Sequence, residues 1–195
     1  MSVNDEGRRL RQGERMQIEA ALHRYARGVD RKDWELFRSA YHSDAVDDHG
    51  DFRGDIDSLV RVIADRHQTV KQSMHVLHAI VIEFAGEDEA IVETQFTVVQ
   101  TLGPEADAYR STLVREPISA ADDLQIRVYG RYVDRFTRRL DDWRIATRTV
   151  VIEQSFVSLS ASAVRPGWIV ASRDGDDPIE QLRVSASLPR LGPLV

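Results

Sequence analysis

The stretch MHVLHAIVIEFAGEDEAIVETQFTVVQ, residues 74–100, decides the fold of this chain. It contains two runs rich in apolar side chains, residues 74–84 and 90–100, that read with the two-residue period of a β-strand. The acidic turn Gly86-Glu87-Asp88 separates the two runs. The stretch therefore predicts a β-hairpin built from two long antiparallel strands.

Two more strands are predicted after this hairpin, over IRVYGRYVDRF (126–136) and WRIATRTVVIEQ (143–154). Residues 138–142 form the turn between them, so the four strands continue as an antiparallel meander. Residues 101–124 contain Gly103, Pro104 and Pro117 and are interpreted as a long excursion without an assigned structure.

Helices are predicted ahead of the hairpin, because the apolar period there is 3.6 residues. The first ends near residues 28–30, the second runs from the N-cap Asp33 to Tyr41, and the third follows the cap Asp55. The apolar face of the first helix comprises Ile18, Ala21, Leu22, Tyr25 and Val29. Helices followed by a meander predict an α+β fold, with the helices on one face of a curved sheet.

A length of 195 residues predicts one domain, with room for an appendage. Residues 1–13 are polar and predict a flexible N-terminus, and residues 14–156 carry the regular pattern of the domain. Residues 157–195 are rich in proline and predict a C-terminal extension. This extension is expected to wrap over the domain, to pack on a neighbouring subunit, or to be partly disordered.

Composition excludes several classes of protein. The absence of cysteine excludes disulfides, a thiolate nucleophile and iron–sulfur clusters, and it fits a cytoplasmic location. A net charge of −6 argues against a nucleic-acid partner. We expect no membrane partner, since no apolar run approaches the roughly 20 residues of a membrane span, and no secretory signal is recognisable.

Motifs for cofactors and metals are also missing. The sequence has no G-x-G-x-x-G, P-loop, G-x-S-x-G or H-E-x-x-H motif. The acidic stretch HSDAVDDHGDFRGD, residues 42–55, lacks the ligand order of an EF-hand. We therefore expect neither a cofactor nor a metal ion.

Histidines are the remaining candidates for chemistry. His23 and His67 fall on predicted helices and are interpreted as surface or rim histidines, and His42, at the end of the second helix, is interpreted as structural. His49 lies where a strand end could point into a cavity and is a candidate to line it. His75 and His78 lie in an apolar strand, where an unpartnered imidazole is costly. Their spacing places them on opposite faces, so at most one faces the cavity unless a bulge intervenes.

Asp30 is a candidate partner for one of these imidazoles. It closes the first predicted helix, where a carboxylate opposes the helix dipole, and this mildly disfavours a purely structural role. A carboxylate there could hold an imidazole by one ring nitrogen and leave the other free as a base. The sequence alone does not show that Asp30 meets His75.

Four stretches resemble the SnoaL-like branch of the nuclear-transport-factor-2-like superfamily. They are RYARGVDRKDWELFRSAYHSDAV (24–46), DDHGDFRG (47–54), SMHVLHAIVIEFAGEDEAIVET (73–94) and GRYVDRFTRRLDDWRIATRTV (130–150). The resemblance covers roughly residues 14–156. It implies a cone-shaped barrel in which N-terminal helices pack on a strongly curved, mostly antiparallel sheet.

The resemblance also implies an activity, since lyases of this branch use a His–Asp pair without a cofactor. By their motifs His75 would be the base, Asp30 would orient it, and Tyr25 would hydrogen-bond a carbonyl or departing oxygen. The further substrate-binding candidates are His49, His78, Tyr129, Arg131 and Arg148, of which only those on the inner face can contribute. An acid that the bile-acid dehydratase of the branch carries on the next strand is missing at residues 97–99.

The leading hypothesis is therefore a cofactor-independent lyase or isomerase for a hydrophobic cyclic small molecule. The alternative is a non-catalytic ligand-binding or assembly module, like the small subunits of ring-hydroxylating dioxygenases. An apolar pocket with His75 bonded to Asp30 favours the enzyme, whereas a filled cone or a His75 that faces out favours the module.

A homo-oligomer is expected under both hypotheses. The predicted strand at residues 74–84 is apolar on both faces, with Val76, Ile80, Ile82 and Phe84 assigned to the outer one. Both faces of such a strand must be covered. Since the resembling lyases are trimers, a trimer is favoured over a dimer.

Overall fold

The computed structural model describes residues 3–106, 110, 122–160, 164–173 and 176–188. Its helices are α1 (Val3–Arg31), α2 (Trp34–Arg38), α3 (Ile56–Gln68) and α4 (Pro178–Ser185). Its strands are β1 (Tyr41–Asp48), β2 (Arg53–Asp55), β3 (Val70–Phe84), β4 (Glu89–Leu102), β5 (Leu124–Arg139) and β6 (Asp142–Leu159). No helix among the described residues is long and apolar enough to cross a membrane.

The six strands form one curved, unclosed sheet in the order β2-β1-β6-β5-β4-β3. Neighbours are antiparallel except β1 and β6, which pair in parallel. The predicted meander and the α+β class are confirmed, and each long strand extends beyond its predicted bounds. Most of the excursion predicted at residues 101–124 lies outside the described residues.

Two helix starts follow their predicted caps. Asp33 accepts from the Leu36 N–H at 2.9 Å, and Asp55 accepts from the Ser58 N–H at 2.9 Å. The end of α2 differs from the prediction, since Tyr41 and His42 lie in β1 rather than in the helix. Pairing with β6 takes these residues out of the helix, because Tyr41 is in register with Ile145.

The first helix begins at Val3, within the segment predicted to be flexible. Arg11 anchors this part to the β3–β4 hairpin: its guanidinium lies 4.3 Å above the Phe84 ring and donates to the Gly86 carbonyl at 3.0 Å. The proposed domain boundaries at residues 14 and 157 stay predictions.

The main core lies between the helices and the inner face of the sheet. The predicted apolar face of α1 is buried, with Ile18, Ala21 and Leu22 all at 0% exposure. Helix α2 packs directly on α1 at Gly28, where a Cβ would lie 2.7 Å from the Phe37 backbone nitrogen. This contact fixes the end of α1 and, with it, the position of Asp30.

A bulge in β3 alters which side chains face inward. Leu77 pairs with Phe96, but Ile80 pairs with Thr94, so the register shifts between Leu77 and Ile80. Past the bulge, Ile80, Ile82 and Phe84 lie on the inner face, the face of Leu77. The assignment of these three residues to the outer face is therefore wrong, although Val76 does lie there and is 36% exposed.

Candidate active site

Asp30 and His75 meet at the junction of α1 and β3. The Nδ1–H of His75 donates to Asp30 Oδ1 at 2.7 Å, and the backbone N–H of His75 donates to Asp30 Oδ2 at 2.7 Å. The hydroxyl of Ser73 donates to Oδ1 at 2.9 Å. The side chains of His75 and Asp30 are only 7% and 13% exposed. One carboxylate thus fixes both the ring and the main chain of the histidine.

Electrostatics favours an ionised Asp30. Burial alone would raise the pKa of this carboxyl, but the hydrogen bonds from His75, together with the charge that its imidazole carries when protonated, outweigh burial and lower the pKa. An ionised carboxylate can only accept, so the short contact assigns the proton of the neutral imidazole to Nδ1. The Nε2 atom then carries a lone pair, which is the state a general base requires.

A pocket of about 470 Å³ lies beside the pair. Helix α1 contributes Arg27 and Arg31 from successive turns, and the start of α4 contributes Asp177, which lies 3.9 Å from Arg31. The lining residues are His23, Ala26, Arg27, Asp30, Arg31, His75, Leu77, Asp177 and Ile179. This volume accommodates a small organic molecule next to the imidazole.

A second His–Asp pair joins the fully buried Asp47 to His49, whose side chain is 18% exposed. His49 Nδ1 bonds Asp47 Oδ1, and the hydroxyl of Tyr41 donates to Asp47 Oδ2 at 2.6 Å. The Nε2 atom of His49 lies 3.5 Å from the hydroxyl of Tyr25. His49, predicted to line a cavity, therefore faces this buried cluster and is not among the residues that line the pocket.

Tyr25 lies behind His75 and connects the pair to this interior cluster. Its ring packs edge-on against the imidazole, with centroids 6.2 Å apart. Burial raises the pKa of Tyr25 to about 12, so the phenol stays protonated at neutral pH. Tyr25 is only 2% exposed and does not line the pocket.

Arg148 is fully buried beneath Tyr25. It forms a bidentate ion pair with Asp134 at 2.8 and 2.7 Å. Its guanidinium lies 4.1 Å from the Tyr25 ring centroid and 4.0 Å from that of Tyr132. The structure thus places Arg148 on the inner face, where it supports Tyr25 but does not line the pocket.

Three other predicted substrate-binding residues lie on the outer face of the sheet. His78 hydrogen-bonds the Thr97 hydroxyl at 2.8 Å, and Tyr129 packs on Phe156 with ring centroids 6.0 Å apart. Arg131 donates to Glu93 and Glu153, at 2.9 and 2.8 Å. The structure does not bring His78, Tyr129 and Arg131 together with the His75–Asp30 pair.

Several residues around the pair were not singled out as site residues. Ser73 and Asp47 each precede a candidate histidine by two residues, so strand alternation alone could have placed them on the same face. His67 was interpreted as a surface histidine, yet it is buried at 3% exposure. Arg173, which contacts His67, lies in the extension, where no pattern in the sequence marks it.

No group of three or more His, Asp or Glu side chains among the described residues is arranged to hold a metal ion. The expected independence from cofactors stays a prediction.

Comparisons with known proteins agree on the fold. A family model described as "SnoaL-like domain" matches residues 12–149. No curated protein matches the sequence significantly. The solved structure of a type 2 hexachlorocyclohexane dehydrochlorinase is 14% identical, covers 81% of this chain and 97% of its own, and superposes with a TM-score of 0.65.

Two further solved structures are similar. A proposed scytalone dehydratase of Novosphingobium aromaticivorans is 16% identical, with 82% of this chain and 97% of its own covered and a TM-score of 0.60. A protein of Kribbella flavida is 16% identical, with 74% and 94% covered and a TM-score of 0.60. At these identities the similarity establishes the fold and leaves the chemistry to the site itself.

Proposed function

Because the chain belongs to the SnoaL-like family, we propose that it is a lyase or isomerase whose reaction begins when His75 removes a proton from a carbon atom. The observation that carries this proposal is the buried carboxylate of Asp30, 2.7 Å from His75 Nδ1, beside a pocket. The arrangement leaves Nε2 as the free basic atom. Two similar structures carry the names of elimination enzymes, which supports the same chemistry.

The proposed reaction needs only the groups of this chain. His75 Nε2 takes a proton from a carbon next to a carbonyl or to a carbon that bears a leaving group. The electron pair of the broken C–H bond forms a C=C bond and expels the leaving group with its electrons, or forms an enolate in an isomerase. The imidazolium so formed is stabilised by Asp30 and returns its proton to the leaving group or to another carbon.

Tyr25 supports the imidazole in this proposal. Its hydroxyl faces His49 and its ring edge packs on His75, so it limits how the imidazole can rotate. We therefore assign Tyr25 a positioning role, in place of the substrate hydrogen bond that the family resemblance implies.

The pocket wall indicates the class of substrate. Ala26, Leu77 and Ile179 offer apolar contacts, which suit a hydrophobic cyclic molecule. Arg27 forms no hydrogen bond or ion pair with any residue that the structure describes. A substrate with an apolar ring system and a polar or acidic substituent would satisfy both parts of the wall.

The alternative of a non-catalytic module is not favoured. It would be supported by a His75 that faces away from the helices, whereas this imidazole is nearly buried against Asp30.

A substrate screen tests the proposal. Hydroxylated steroids and cyclic β-hydroxy ketones are incubated with the protein, and loss of water is followed by mass spectrometry and by the absorbance of the conjugated product. His75→Gln should abolish turnover and leave the circular dichroism spectrum unchanged. His78→Gln is the matched control, since His78 lies on the outer face. Full turnover by His75→Gln would overturn the proposal.

A further inference from the structure

Arg173 is a buried arginine outside the part of the chain that the family model matches. It is 7% exposed, and its guanidinium contacts three separate elements. It donates to the carbonyls of Asp30 at 2.8 Å, Val29 at 3.1 Å and Val70 at 2.7 Å. Its Nη2 also donates to His67 Nδ1 at 2.7 Å. These contacts join the C-terminal extension to α1, β3 and α3.

The contacts on α1 cap the end of that helix. The last carbonyls of a helix have no partner within it, and a cation is favoured at this end by the helix dipole. Arg173 supplies both a cation and donors to the carbonyls of Val29 and Asp30. An alkyl side chain at this position would remove both donors. The Val29 carbonyl would keep the Lys32 N–H at 3.3 Å, whereas the Asp30 carbonyl would lose the Arg173 donor, and the loss of a partner from a buried carbonyl is costly.

The same contacts span the junction where the His75–Asp30 pair forms. Val70 begins β3, five residues before His75, and its carbonyl is tied to the end of α1 through Arg173. On the other side of the site, Gln100 Nε2 lies 3.3 Å from His67 Nε2 and 3.4 Å from the Ser73 hydroxyl, which in turn donates to Asp30. Polar side chains thus lie between Arg173 and the carboxylate, but they do not form a continuous hydrogen-bond chain, because a His67 that accepts at Nδ1 carries its proton on Nε2, where the Gln100 amide N–H is also a donor.

The protonation state of His67 fits this arrangement. Burial, followed by the charge of Arg173, holds the pKa of His67 well below its usual range. A neutral imidazole can accept at Nδ1, which is what the contact with Arg173 requires.

The extension also reaches the pocket. The amide of Gln72 in β3 donates to the Ala171 carbonyl at 2.8 Å, two residues before Arg173. Asp177, the N-cap of α4, lies 3.9 Å from the Arg31 guanidinium, and both Asp177 and Ile179 line the pocket.

We propose that the C-terminal extension completes the active site and that Arg173 is a positioning residue, which holds the end of α1 against β3 so that Asp30 meets His75. This inference rests on the function proposed above for that pair. Arg173 does not line the pocket, so it acts through Asp30 and not on the substrate.

Hydrogen exchange of the His75 backbone amide tests this proposal without a substrate. That amide donates to Asp30 Oδ2, so its protection reports the α1–β3 junction directly. In the full-length Arg173→Met variant, exchange at His75 should accelerate roughly tenfold more than exchange at Phe136, a buried residue of β5. Arg165→Met is the control, because Arg165 is an exposed arginine of the same extension.

Exchange at the two amides distinguishes a role of Arg173 in positioning the α1–β3 junction from a general contribution to the stability of the fold. An equal acceleration at His75 and Phe136, or none at His75, would overturn the proposal. Arg173→Lys keeps the charge but not the fork of donors, so it should also expose the His75 amide, and full protection in that variant would contradict the proposal. If Arg173→Met does not fold, the comparison is made with Arg173→Lys alone.

If a substrate of the wild type is found, its steady-state kinetics gives an independent measurement. Arg173→Met should lower kcat by roughly tenfold or more with little change in KM, because the arginine does not contact the substrate. The exchange measurement stands even if the chain proves to have no lyase or isomerase activity, so failure of one proposal is distinguishable from failure of the other.

Discussion

The carboxylate of Asp30 receives the ring N–H and the backbone N–H of His75, both at 2.7 Å. The first bond selects the tautomer of the imidazole, and the second fixes the strand that carries it. A base held in this way loses little orientational freedom when a substrate arrives. The two residues are 45 positions apart in the chain, so the contact depends on the packing of α1 against β3.

Asp30→Asn tests the role of the carboxylate. An amide of the same shape can present its N–H to the imidazole and favour the tautomer with the proton on Nε2, which is the wrong one for a base. We expect a loss of turnover of roughly 10³-fold or more with the fold retained. Steady-state kinetics and circular dichroism measure this. Asp44→Asn, a change at an exposed side chain of β1, serves as the control, and a fully active Asp30→Asn would refute the role.

His67 should make folding stability depend on pH. Its folded pKa lies well below 6.5, chiefly because of burial and then because of the charge of Arg173, whereas the unfolded chain titrates near 6.5. His75 and Arg66 also lower this pKa, and the charge of Asp30 opposes them by raising it. The unfolded state therefore binds more protons, so the contribution of His67 is complete above pH 6.5 and is lost as the pH falls below it.

Urea unfolding at two pH values measures this effect. Between pH 7.5 and 5.5 the wild type should lose about 1 kcal/mol more than His67→Gln, since each pH unit below the unfolded pKa costs about 1.4 kcal/mol per group. Equal losses in the two proteins would show that His67 is not held neutral in the fold.

Gly28 should not tolerate a side chain. A Cβ there would lie 2.7 Å from the backbone nitrogen of Phe37, and α2 would have to move. Gly28→Ala should destabilise the fold by about 1–3 kcal/mol, although alanine is the better helix former. Gly13→Ala in the same helix meets no atom within 4 Å and should stabilise by up to about 1 kcal/mol. Thermal unfolding compares them, and a stabilised Gly28→Ala would contradict the packing.

The outer face of the sheet predicts self-association. It exposes apolar side chains on three strands, Met74 and Val76 on β3, Tyr129 on β5 and Phe156 on β6, while Thr97 of β4 lies between Val76 and Tyr129. We expect a homo-oligomer, with a trimer favoured over a dimer, and we expect Phe156→Glu to weaken it because a buried charge is costly. Light scattering of both proteins checks this, and a monomeric wild type at micromolar concentration would contradict it.

Much of the fold could be predicted because it depends on short-range patterns. The two-residue period of residues 74–100 identified the hairpin, and the caps Asp33 and Asp55 identified the starts of two helices. The bulge after Leu77 could not be predicted, since the residues on both faces there are apolar and alternation cannot show a change of phase. Tyr41 was misassigned because only its pairing with β6 decides between helix and strand.

The residues of the candidate site could likewise be predicted only in part. His75 and Asp30 became candidates because a histidine in an apolar strand and an acid at a helix end are locally unfavourable, and the family resemblance joined them. The opposite orientations of His75 and His78 followed from strand alternation. Arg173 could not be found, because the acceptors described for it on Val29, Asp30, His67 and Val70 come together only in the folded chain.

Deuterium uptake from D₂O into a bound carbon acid tests the central claim most directly. Proton removal by His75 Nε2 should place solvent deuterium on the carbon next to the carbonyl of a cyclic ketone, even where no leaving group departs. We predict uptake catalysed by the wild type and by His78→Gln, and none above the uncatalysed rate with His75→Gln. Uptake at the wild-type rate by His75→Gln would contradict the account.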